Sequence, residues 1–144
     1  METTNFELTN SMEDYLEMIY RLSITDGFTR INELADNLNV QPPSVTRMVQ
    51  KLSSVGLVNY EKYGVVALTD MGKNMGRTLF KRHKIIEVFL KVLGVNDTIE
   101  ADIEKMEHTL SDATLSCIVN YLSFLDQNPD ISQRFKEFRD NRSI

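Results

Sequence analysis

The segment "VQPPSVTRMVQKL", residues 40–52, decides how this 144-residue chain is read. Consecutive prolines cannot continue a helix interior, because proline lacks the backbone N–H and its ring collides with the preceding turn. "VQPPS" therefore marks a sharp turn. After it, "SVTRMVQKL" restarts helical spacing, with Val45, Met48, Val49 and Leu52 on one face. Upstream, "FTRINELADNLNV" (28–40) reads as a helix burying Ile31, Leu34, Ala35 and Leu38. Downstream of Gly56, "LVNYEKY" and "VVALT" read as two β-strands meeting near Gly64. Helix, tight turn, helix and two-stranded hairpin is the order of a winged helix-turn-helix. In that arrangement the second helix enters the major groove of DNA and the hairpin lies along the backbone.

The recognition helix is then 43–53, and Gln41, Pro43, Ser44, Thr46, Arg47, Gln50 and Lys51 are its outward positions. Arginine pairs bidentately with guanine and glutamine with adenine, while Ser and Thr approach phosphate or a thymine methyl. Lys62 and Tyr63, at the hairpin tip, suit phosphate contact. A net charge of −5 argues against a polyanionic partner until its distribution is followed. Residues 41–84 carry eight Lys and Arg against Glu61 and Asp70, a local balance of +6 between acidic ends.

Working outward, Ser11 is placed to cap a first helix with Met12, Leu16, Ile19 and Leu22 at helical spacing. A long helix starts near Thr69 and runs to Gly94, a good residue for the position after a helix end. Asp97 and Glu100 form a capping-box pair for the next helix, Ser111 caps another, and Pro129 opens a last one. The fold class is mainly α. A winged helix-turn-helix spans 1–72, an all-helical region spans 73–144, and a linking helix covers about 70–93. No apolar run reaches the roughly 18 residues of a membrane span. "METTNFELTN" lacks the basic and apolar regions of a signal peptide. The lone Cys117 cannot form an internal disulfide, which fits a reducing cytoplasm, and it is expected to pack in a helix core.

A second chemistry sits in "ADIEKMEHTL" (101–110). On a helix, Glu104, Glu107 and His108 fall within an arc of about 100°, apart from the stripe of Ile103, Met106 and Leu110. Two carboxylates and an imidazole make a metal ligand set, and they equally make an ordinary solvated face. Asp14 and Glu17 share a face of the first helix, nearly opposite Met12, Leu16 and Ile19. There the plain alternative is a capping box of Ser11 with Asp14 and a solvated Glu17. His83, in "FKRHKIIEVF", is by itself as compatible with a surface histidine as with a ligand.

Taken together, "SMEDYLEMIY", "VQPPSVTRMVQKL", "NYEKYGVVALTDMGK", "KRHKIIEVFLKVLGV" and "DIEKMEHTLS" resemble the manganese-sensing branch of the diphtheria toxin repressor family of metal-dependent transcriptional regulators. The resemblance runs from about residue 11 to about residue 125, in order and with near-matching spacing. It implies a homodimeric repressor, expected to control metal uptake genes, with an N-terminal winged helix-turn-helix and a helical dimerisation and metal-binding domain. It also implies a site for two Mn²⁺ between the domains of each subunit, whose filling orders the dimer for its DNA operator. The family's ligands fall on Asp14, Glu17, His83, Glu104, Glu107 and His108. Iron-sensing members place sulfur where this chain has Asp14 and Glu104, and hard oxygen donors suit Mn²⁺. Two departures stand out. The chain ends before the SH3-like domain of the iron-sensing members, and "VNDTIEAD" is slightly shorter than the family pattern.

Rival readings are a winged-helix regulator sensing Fe²⁺ or an organic ligand, and a di-iron enzyme. The enzyme needs two Glu-x-x-His units, and the residues three before His83 and His108 are Phe80 and Lys105. No HExxH, G-x-S-x-G or phosphate-binding glycine loop occurs, so neither catalysis nor an organic substrate is expected.

Overall fold

The computed structural model describes residues 7–142; residues 1–6, which open the segment read as free of a signal peptide, lie outside the described residues. The chain divides into two compact units, one ending at Phe80 and the other beginning at Lys81.

The first unit opens with α1 (Asn10–Ser23). Its cap is Thr9 and not the expected Ser11: Thr9 is extended and accepts the Met12 N–H at 3.1 Å, whereas Ser11 is already helical. The next segment also departs from expectation. Thr29–Arg30 form a short strand, β1, paired with Val66 and Val65, and α2 is only Ile31–Leu38. Thr29 is buried and its hydroxyl donates to Glu33 Oε2 at 2.8 Å, which holds the start of "FTRINEL" in the sheet. At the other end Asn39 takes a left-handed conformation (φ 54°, ψ 48°), so α2 stops before "NV", and Leu38 is only half-buried.

Pro42 and Pro43 are not the turn itself. They are the first turn of α3 (Pro42–Ser54), where a missing N–H costs nothing and the fixed φ favours the helix. The bend therefore lies in Asn39–Gln41. Val45, Val49 and Leu52 face inward as expected, with Met48 half-buried. β2 (Val58–Tyr60) and β3 (Val65–Leu68) form the hairpin, and β1 adds a third antiparallel strand in the order β1-β3-β2. Leu16, Ile19, Leu34, Val45, Val49, Leu52, Leu57 and Val66 fill one core. α4 (Asp70–Leu93) starts here, with Thr69 accepting the Gly72 N–H at 3.1 Å and donating to Gly56 O at 2.7 Å. A Cβ at Gly72 would lie 2.0 Å from the Leu57 carbonyl oxygen, so only glycine lets the helix approach this closely.

The second unit contains the rest of α4, α5 (Ile99–Glu107), α6 (Asp112–Gln127) and α7 (Pro129–Asp140). α4 ends at Gly94, whose φ of +96° suits glycine. The expected Asp97–Glu100 capping box does not form. Thr98 is the cap residue, and its hydroxyl donates to Asp102 Oδ2 at 2.7 Å. Ser111 caps α6 through the Thr114 N–H at 3.1 Å, and Pro129 opens α7. Ile86, Leu90, Ile103 and Leu115 make the core.

Cys117 is exposed, not packed in that core: it lies two positions past buried Leu115, roughly 200° around α6. Of the apolar residues on these helices, Ile86, Leu90, Ile103, Leu115 and Leu125 are buried within the subunit. Val88, Leu93, Val119 and Phe124 remain exposed, and a groove lined by Ile85, Val88, Val92, Val119 and Leu122 runs along the surface. No helix among the described residues is long and apolar enough to cross a membrane.

Because a carbonyl oxygen cannot retreat from an added methyl as a side chain can, Gly72→Ala should destabilise the winged unit by about 3 kcal/mol, the upper end for an overpacked site. Urea unfolding measures it, and a loss below about 0.5 kcal/mol would show that α4 shifts freely.

Candidate metal centre and nucleic-acid interface

Within the second unit two helices bring the chemistry together. α4 carries His83 and Glu87, one turn apart; α5 carries Glu104 and Glu107 and ends there, with His108 as its C-cap residue, still near helical angles (φ −92°, ψ −12°). Glu107 does not point to solvent. Its side chain is 7% exposed, with Oε2 2.8 Å from His83 Nδ1 and Oε1 3.7 Å from His108 Nε2. His108 Nε2 also lies 3.4 Å from Oε1 of the exposed Glu104. The ligand atoms of Glu104, Glu107 and His108 all lie within 4.8 Å of one another. A carboxylate buried between two imidazoles is costly unless positive charge meets it. Protonated histidines or divalent cations both supply that charge, and two nitrogen and several oxygen donors form a competent site for a first-row divalent ion.

Glu87 was not among the expected ligands. Its Oε2 lies 3.6 Å from His83 Nε2, and the i, i+4 spacing of His83 and Glu87 was the available signal. Burial pushes the Glu87 carboxyl up, but the hydrogen bond from Lys91 and the charges of Lys84, Lys91 and His83 outweigh it and hold the group below its ordinary value. Of the six expected ligands, His83, Glu104, Glu107 and His108 are thus gathered in one unit. Asp14 and Glu17 stand on α1 of the other. Glu17 is buried, contrary to a solvated face, and accepts from Arg21 Nη2 at 2.5 Å.

On α3, Gln41, Pro43, Arg47, Gln50 and Lys51 are exposed and Ser44 and Thr46 half-buried. Thr46 Oγ1 donates back to Pro42 O at 3.2 Å, and Arg47 Nη2 donates to Ser44 Oγ at 3.3 Å, so the exposed Arg47 side chain lies back along the first turn of α3. At the wing tip Lys62 is exposed and Tyr63 is 91% exposed, with φ +64°. Arg30 was hidden by the helical reading of "FTRINEL". It donates to Tyr63 O at 3.0 Å and braces the tip from β1.

Against known proteins, the pattern described as "Iron dependent repressor, N-terminal DNA binding domain" matches residues 7–66. That described as "Iron dependent repressor, metal binding and dimerisation domain" matches residues 69–136. The HTH-type transcriptional regulator MntR of Lysinibacillus sphaericus (strain C3-41) is 38% identical over 137 residues, 94% of this chain and 99% of its own length. The regulator of the same name from Listeria welshimeri is 43% identical over 129 residues, 89% of this chain and 91% of its own. Among solved structures, the manganese regulator SloR superposes with a TM-score of 0.69 at 34% identity, over 81% of this chain and 55% of that one. A manganese-dependent transcriptional repressor in complex with manganese gives 0.70 at 29% identity, over 78% and 53%. This chain spans about half the length of those two solved chains.

Because its carboxylate faces both histidines, Glu107→Gln should leave the helical content unchanged and weaken divalent-cation binding by more than about tenfold in a calorimetric titration. An unaltered titration curve would remove Glu107 from the site.

Proposed function

Because the chain belongs to the iron-dependent repressor family, whose two domains it carries in order, we propose that it is a manganese-responsive transcriptional repressor that binds its DNA operator as a homodimer. The observation that carries this reading is the buried Glu107 carboxylate, with one oxygen at His83 and the other at His108. A carboxylate so placed can be shared by two cations, and the proposed complement is two Mn²⁺ per subunit. Asp14 and Glu17 of the winged unit complete the set formed by His83, Glu104, Glu107 and His108. The controlled genes are those of metal uptake, the compartment is the cytoplasm, and no catalysis is involved.

When bound, Mn²⁺ supplies positive charge and open coordination positions to these side chains. Without it, Asp14, Glu17, Glu104 and Glu107 repel one another, so the residues of α1 gain nothing by approaching those of α5. His83 and His108 contribute neutral nitrogen donors that add no charge to the cluster. With the carboxylates neutralised, Asp14 and Glu17 tether the winged unit, and its ordering entropy no longer has to be met when DNA binds. Metal and operator then strengthen each other's binding by the same factor. In the groove, Gln41, Pro43, Ser44, Thr46, Arg47 and Gln50 meet base edges or nearby backbone, while Lys51, Lys62 and Tyr63 meet phosphate. Two recognition helices of the dimer read half-sites about one helical turn apart or a multiple of it.

Asp14→Ala should leave the dimer intact and abolish Mn²⁺ activation of operator binding in a fluorescence-anisotropy titration. Normal operator binding by Asp14→Ala with Mn²⁺, or a wild-type affinity indifferent to a chelator, would sink the mechanism. On the DNA side, Arg47→Ala should cost about 1–3 kcal/mol on operator and relax preference at one base pair. Lys51→Ala should weaken operator and random DNA alike and lower the salt slope by about one unit. Equal losses on both DNAs for Arg47→Ala would make it a phosphate contact.

A further inference from the structure

Arg82 precedes His83 on α4 and points roughly 100° away around the helix. Its guanidinium is spent inside the second unit: the side chain is 15% exposed. Nη2 donates to Glu107 O at 3.0 Å and to Leu110 O at 2.6 Å, Nε donates to Glu107 O at 3.3 Å, and Nη1 meets Asp112 Oδ1 at 2.9 Å. Those carbonyls belong to the C-terminal end of α5 and the turn after it, where helix carbonyls run out of intrahelical partners and the macrodipole is negative. A planar fork of donors suits two carbonyls and a carboxylate at once, which an ammonium cannot match.

Glu107 is consequently held at both ends. Its backbone oxygen is gripped by Arg82, and its carboxylate lies 2.8 Å from His83, the next residue on the same helix. His108 follows directly and inherits the same anchored backbone. We infer that Arg82 is a positioning residue of the metal centre: it ties the Glu107–Leu110 backbone to α4, so that Glu107 and His108 meet His83 in register before any cation arrives. The inference rests on the metal-binding reading above. It also runs against simple electrostatics, because removing a positive charge beside a cation site should tighten binding, whereas losing the clamp should weaken it. The sign of the effect separates the two.

The test uses the full-length dimer. Mn²⁺ binding is followed by the electron paramagnetic resonance signal of the free aquo ion, and metal-free melting by circular dichroism. Arg82→Met should bind Mn²⁺ about tenfold or more weakly, as loss of an outer partner of a metal ligand does. Arg82→Lys should fall between it and the wild type, and operator affinity should return in both at saturating Mn²⁺. Arg82→Met that binds Mn²⁺ as well as or better than wild type overturns the inference, even if its metal-free melting temperature drops, since that pattern assigns Arg82 to the fold alone. Should Arg82→Met fail to fold, Arg82→Lys decides: weakened Mn²⁺ binding supports the clamp, and wild-type binding overturns it. A wild-type chain that takes up no Mn²⁺ would overturn the metal reading itself, a separate result.

Discussion

The carboxylate of Glu107 is the constraint around which the second unit is built. Burying a charge costs several kcal/mol unless counter-charge and hydrogen bonds meet it, and Glu107 is met on each oxygen by a different histidine. That requirement explains local features that look unrelated. α5 ends at Glu107, and His108, its C-cap residue, stays near helical angles (φ −92°, ψ −12°), which leaves its ring beside both Glu104 and the Glu107 carboxylate. α4 must remain helical through residues 82–87, so that Arg82 reaches the backbone of Glu107 while His83 reaches its side chain. Glu87, one turn on, is kept charged by Lys84 and Lys91 and adds a further negative group beside His83. The result is a concentration of negative charge and nitrogen donors suited to a divalent cation.

The first unit solves a different problem, which is to present a polar helix to solvent while burying its opposite face. α3 manages this with prolines that begin it and an apolar side of Val45, Val49 and Leu52 against α1 and α2. The wing is braced near its tip by β1, through the Thr29–Val66 and Arg30–Val65 pairs, and at the tip itself by the Arg30 contact to Tyr63. Such bracing matters for a domain that binds DNA, because an unbraced tip would have to be ordered at an entropic cost before it could meet a phosphate. The chain's excess of acid is set against a basic stretch over 41–84, so each partner, polyanion or divalent cation, finds the charge it requires on a different part of the molecule.

The apolar residues on α4 and α6 that the subunit leaves exposed, Val88, Leu93, Val119 and Phe124, accord with a dimerisation domain over 69–136. A single small helical unit cannot cover every apolar position that its helices carry. The polar face of α7 and the exposed Cys117 show that the remaining surface is not uniformly apolar.

What the sequence by itself determined is whatever depends on local periodicity and capping. The order of helices, the hairpin, the long helix to Gly94, the Ser111 cap and Pro129 at the head of α7 were all legible, because each is set by residues within a turn or two of one another; a break before α3 was legible too, though its prolines proved to start the helix and the bend lies in Asn39–Gln41. The pairing of His108 with Glu104 and Glu107 was legible for the same reason. Tertiary structure decided the rest. Thr29 and Arg30 have helical neighbours in sequence and became a strand because Val65 and Val66, more than thirty residues away, offered a ladder. Thr9 displaced Ser11 as cap through a backbone angle that spacing does not encode. The burial of Glu107, an expected ligand whose plain alternative was a solvated face, and the change of Arg82 from one basic residue among eight into the clamp on the Glu107 backbone both come from contacts between α4 and the end of α5. Contacts between residues some 25 positions apart leave no periodic trace in the chain, and the metal centre's inner geometry is made of such contacts.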